Sequence, residues 1–133
     1  MATSQLELSR PPQQARALEL WLQHAAGRIL FEDVRAYATE KIDPTLPDET
    51  RLAVQKGIDD AMYGLMMVID GVSGVLKSGP QSVELSVTAR LVNREPPAIA
   101  AELDLRDGDG MCMGYHGWLD GDYGDNIVAF TAP

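Results

Sequence analysis

The sequence predicts an α+β fold, N-terminal helices followed by antiparallel strands, because its apolar periodicity changes once, from about 3.6 residues to about 2. Before the change, Val54, Ile58, Ala61, Met62, Leu65, Met66 and Ile69 share one helical face. After it, Val83, Leu85, Val87, Ala89 and Leu91 alternate with Glu84, Ser86, Thr88 and Arg90. A third observation is size: 133 residues, 45% hydrophobic and 23% charged, suit one hydrophobic core of ordinary globular composition. The chain therefore reads as a single domain over residues 1–133, with a helical part at about 9–72 and a β part at about 82–131.

About three helices are expected. Pro11 and Pro12 suit a first helical turn with Ser9 as its N-cap, and Leu18, Leu22, Ala25 and Ile29 then recur at helical spacing. The next apolar set, Leu30, Val34, Tyr37 and Ala38, is rotated by roughly 120° from the first at ~100° per residue. A straight helix cannot bury both, so a break or kink is expected near Gly27, giving two helices or one that wraps around the core. Pro44 and Pro47 mark a connection, and Pro47 to Glu49 start the helix with the strongest pattern, which should stop near Gly71. Its second half, Met62 to Ile69, carries no charge on any side. Once Met62, Leu65, Met66 and Ile69 face the core, Tyr63, Met67 and Val68 remain, and a second copy of the chain is the simplest cover for them.

After a loop at Lys77 to Pro80, the run Val83–Leu91 and a second alternation, Ile99, Ala101, Leu103 and Leu105, flank Asn93 to Pro97 as an antiparallel hairpin. Asp107 to Gly110 reads as a turn, Met111 to Leu119 as a third strand, Asp120 to Asp125 as another turn, and Ile127 to Phe130 as a fourth strand. The expected architecture is three helices packed on a four-stranded antiparallel meander.

Charge narrows the function. The net charge is −9, which opposes nucleic-acid backbones, whose nonspecific binding draws on Lys and Arg. Residues 1–99 hold 13 acids and 10 bases, a net of −3, whereas residues 100–133 hold 7 acids and Arg106 alone, a net of −6. The acidic end reads either as aspartates that occupy turns and keep a surface solvated or as a patch for a cation or a basic protein partner. Glu7 lies in a start without a signal-peptide core, and the most apolar run, Leu65 to Ile69, is far shorter than a membrane span. With a single cysteine, Cys112, these features predict a cytoplasmic protein that does not engage membranes.

The candidate partner-binding residues are Asp107, Asp109, Asp120, Asp122 and Asp125 of the two Asp-Gly loops, with Tyr115 and Trp118 between them. The loops invite comparison with calcium sites, but the second has Gly124 at the fifth position of an EF-hand and Thr131 at the twelfth, so no metal is expected. Glycines flanking Tyr115, His116 and Trp118 fit close packing of a strand under a helix, or else a pocket wall. Cys112 and His116 would stand ~13 Å apart in a strand, too far for a thiolate and its base. They would be neighbours in a helix, which Gly110, Gly114 and Gly117 disfavour. His116 is the one weak catalytic candidate, as a general base with a loop aspartate, with or without a divalent cation. No nucleotide, nucleophile-elbow or paired-histidine motif occurs, and no cofactor is expected. In charge and size alone the chain resembles toxin-neutralising immunity proteins of bacteria. The expected function is thus a small acidic binding or regulatory protein, the alternatives being a small enzyme using His116 and a homo-oligomer of structural role.

Overall fold

Trp21, Leu22, Ala25 and Ala26 give the first helix a broad apolar face. The computed structural model, which describes residues 3–124 and 127–131, builds that helix as α1 (Ala15–Leu30). Gln14, not Ser9, caps it: the Gln14 side chain accepts from the Ala17 amide at 2.7 Å. The expected break at Gly27 is absent. α1 runs through Gly27 into a π-helical turn, Phe31–Arg35, and on into α2 (Ala36–Glu40). Gly27, Phe31 and Arg35 are spaced by four, which in a regular α-helix drifts ~40° per step. The wider π turn absorbs that drift and keeps Phe31 (5% exposed) and Arg35 on the inner side. Of the second apolar stripe, Leu30 packs against the core and Ala38 is half-buried, while Val34 and Tyr37 are exposed.

The helix with the strongest pattern is α3 (Asp48–Ile69), ending before Gly71 as its sequence dictates. Only its second half enters the core, through Met62, Met66 and Ile69, while Val54 and Leu52 face solvent.

The β part forms ribbons rather than a meander. β2 (Val75–Ser78) pairs antiparallel with β3 (Gln81–Glu84) across Gly79 and Pro80, where only a loop was expected. β4 (Thr88–Arg94) pairs with β5 (Pro97–Asp104) in the expected hairpin, with a bulge between Leu91 and Val92. The predicted strand 83–91 is therefore split between two hairpins. The last strand, β6 (Val128–Thr131), pairs with β1 (Leu6–Leu8) near the start of the chain. Each of these three sheets has two strands.

The predicted third strand is a helix, α4 (Met111–Leu119), preceded by a 3₁₀ turn at Leu105–Asp107. α4 packs on both α1 and α3, and with Leu103 and Leu105 its Met111, Tyr115 and Trp118 complete the core. Of the three side chains left over on α3, α4 meets Tyr63, whose ring lies 5.3 Å from that of Tyr115, while Met67 and Val68 are half-buried.

The glycines on these helices should respond to substitution with opposite signs. A Cβ at Gly27 or Gly114 would stand 2.5 or 2.4 Å from carbons of the Trp118 ring, whereas one at Gly57 or Gly64 meets nothing within 4 Å. Gly27→Ala and Gly114→Ala are expected to destabilise by about 1–3 kcal/mol through overpacking. Gly57→Ala and Gly64→Ala should stabilise by about 0.5–1 kcal/mol through helix propensity. Urea unfolding of the four variants measures both effects.

Candidate functional site

The described residues of the predicted site lie on α4 and the turns at its two ends. The N-terminal end is held by two residues from distant elements. Asp70, which follows the last residue of α3, accepts from the Met111 amide at 2.6 Å with Oδ1 and from the Cys112 amide at 2.9 Å with Oδ2. A carboxylate there satisfies two free amides and opposes the positive end of the helix dipole. Gln23 of α1, 2% exposed, donates from Nε2 to the Gly110 carbonyl at 3.0 Å. Its Oε1 accepts from the Asp109 amide at 2.8 Å, so both ends of this buried amide grip the same turn. Neither Asp70 nor Gln23 stood out in the sequence. Asp70 had a local signal as the acid before Gly71, but its partner lies 41 residues away.

The C-terminal half is anchored by rings. Trp118 is 2% exposed, and its Nε1 donates to His24 Nδ1 at 2.9 Å. Nδ1 is thereby the acceptor nitrogen of His24. The indole stacks on Tyr123 at 6.3 Å with planes 12° apart, and the Arg28 guanidinium lies over the Tyr123 ring at 4.9 Å. Tyr115, 4% exposed, donates its hydroxyl to the Asp59 carbonyl at 2.9 Å. Asp59 also holds Arg35 through two hydrogen bonds of 2.7 and 3.3 Å. Tyr115 and Trp118 are thus core residues and present no surface to a partner, because helical rather than extended backbone turns them inward.

On its outward side α4 presents Met113 (75% exposed) and His116, with Asp120 just past its end at the next helical spacing, and Leu119 is exposed as well. Asp107 and Asp109 lie at the N-terminal end, and Asp120 and Asp122 at the other. Nine residues at 1.5 Å each set the two acidic ends ~13 Å apart. Asp109 is ion-paired with Arg16, and Asp122 accepts from the Gly124 amide at 2.9 Å. Asp125 lies outside the described residues. His116 shares its face with Asp120, one turn away, and is remote from Asp107 and Asp109. Its ring packs instead at 5.9 Å from those of Tyr63 and Tyr115. Among the described residues no group of three or more His, Cys, Asp or Glu side chains could hold a metal ion.

No protein-family model, curated protein or solved structure matches the chain. The chemistry of α4 therefore stands on its own geometry.

Cys112 and His116 are one turn apart, the neighbours that a helix makes of them, yet the thiol turns to Asp70 and Tyr63. Burial raises its pKa and the Asp70 carboxylate raises it further, outweighing a lowering contribution from Tyr63. A nucleophilic cysteine needs the opposite shift.

Two measurements follow from this geometry. Because folding disfavours the Cys112 thiolate, iodoacetamide labelling at pH 8 is expected to be slower in the native protein than in urea. Labelling should catch up only as pH climbs above the raised native pKa; equal rates at pH 8 would contradict the assignment. Millimolar calcium or magnesium should leave the melting temperature within about one degree, since a folded-state cation site would raise it by mass action.

Proposed function

We propose that this chain is a small acidic binding or regulatory protein that engages a basic protein partner through the outward side of α4 and the aspartate turns at its ends. The observation that carries the reading is the division of α4 between two roles. Its rings are sunk in the core, while Asp107, Asp120 and Asp122 stay exposed around a protruding Met113. An acidic rim around a flexible apolar side chain suits a cationic protein surface, with charge steering the encounter and methionine adapting to the contact. The buried Gln23 grips one acidic turn and the half-buried Asp70 caps the helix that follows it, which lowers the ordering cost of binding. The same reading accommodates neutralisation of a basic protein, the role of the immunity proteins that the chain resembles in size and charge. Among the described residues no helix is long and apolar enough to cross a membrane.

A pull-down from the organism that encodes the chain tests the idea. A basic protein is expected to be retained at low salt and released near ~0.5 M, where the Debye length falls to a few Å. Replacing Asp107, Asp109, Asp120 and Asp122 together by Asn should weaken retention at least tenfold. Capture that is indifferent to both salt and the four substitutions would overturn the proposal.

A further inference from the structure

The two hairpins project apolar side chains into water. Leu76 (76% exposed) and Val83 (66%) are cross-strand partners on β2–β3, and Val92 (50%) and Ile99 (54%) are partners on β4–β5. Leu85 on the connection and Val72 just before β2 add to them. Within β2 and β3 only Val75 is even half-buried. An isolated two-stranded ribbon is marginal in water and needs a further strand or a packed face to persist.

The accessible surface makes the same point for the whole chain. A compact monomer of 14.5 kDa should expose about 6,900 Å². This chain exposes 8865 Å², about 2,000 Å² more than that scaling allows. The six side chains named above supply on the order of 500 Å² of apolar surface. A standard interface buries ~800 Å² per partner at roughly 60% apolar, so that supply is sufficient.

Charge identifies the occupant. Residues 71–104 contain Glu84, Glu95, Glu102 and Asp104 against Lys77, Arg90 and Arg94, a net of −1, so −8 of the −9 lies outside the ribbon segment. A basic partner gains little there, whereas two copies of a strongly acidic chain can meet on this segment with little net charge opposing them.

We infer that the β2–β3 and β4–β5 ribbons form the interface of a twofold homodimer, leaving α4 and its acidic turns free on both copies. Sedimentation velocity between 1 and 100 μM, on the order of typical homodimer affinities, should show conversion to twice the 14.5 kDa monomer mass. The double variant Leu76→Glu, Ile99→Glu should raise the dimer dissociation constant at least tenfold with its helical circular dichroism unchanged, because both positions lie outside the helical core. Should that variant lose its helical signal, hydrogen exchange of the wild type decides: amides of residues 75–104 should gain protection with concentration, and those of α1 and α4 should not. A wild-type protein that stays monomeric at 100 μM overturns the inference. So does a folded double variant that dimerises with wild-type affinity, or ribbon exchange that ignores concentration. The readouts are independent of the acidic partner surface, because the dimer contact and the aspartate substitutions share no residue.

Discussion

The seat of the Trp118 indole against Gly27 of α1 and Gly114 of α4 is the contact on which the rest of this structure depends. Backbone is close enough on both sides that a single methyl would collide with the ring. In that position the indole bonds His24, stacks on Tyr123 and meets the Phe31 ring edge-on at 5.9 Å. These contacts hold α4 against α1, and Tyr115, reaching the Asp59 carbonyl and the Tyr63 ring, holds it against α3. A nine-residue helix with two internal glycines would not persist alone, since each glycine costs about 1 kcal/mol relative to alanine and nucleation is unfavourable. Ring burial, worth ~2–3 kcal/mol for a large apolar side chain, and capping by Asp70 offset that cost. Gly114, one of the two glycines that make the segment a poor helix, is thus what lets the tryptophan approach on the α4 side.

The same contact separates the protein's surfaces by charge. With its rings turned inward, α4 leaves Met113 and the aspartates at its two ends outside. The ribbons carry a net charge of only −1 and are rich in exposed apolar side chains. A protein of charge −9 that both recruits a cationic protein and pairs with itself would need its repulsive and cohesive surfaces apart, because opposed like charges cost more than the apolar contact beneath them gains. The π turn at Phe31–Arg35 contributes by bringing Arg35 to Asp59, so a cation on the inner side of the first helix has a carboxylate to meet.

Local pattern was a good guide where burial is governed by neighbours in the chain. α3 follows its 3.6-residue repeat from Asp48 to Ile69, and the β4–β5 hairpin follows its alternation around Asn93 to Pro97, since amphipathic periodicity and turn residues act within a few positions. Two places misled. At Gly27 the rotated apolar stripe implied a kink, but a π turn four residues later took up the change of register, and the glycine was reserved for Trp118. At Met111 to Leu119 the glycines implied strand, and a reading that reached only nearest neighbours had no access to the partners that make it helical. Those partners are Gln23, His24, Asp59 and Asp70, between 41 and 94 residues away.

By itself, then, the sequence determined the α+β class, the central helix, one hairpin and the acidic character of the last quarter, all of which are properties of short windows or of composition. Only the tertiary structure decided that α4 is a helix, that Tyr115 and Trp118 belong to the core, that the aspartates stand at two separate ends of it, and that the strands form open ribbons instead of one sheet. Each of those outcomes turns on contacts between residues far apart in the chain, where the free energy of ring burial and of satisfied buried amides exceeds the local propensities that oppose it.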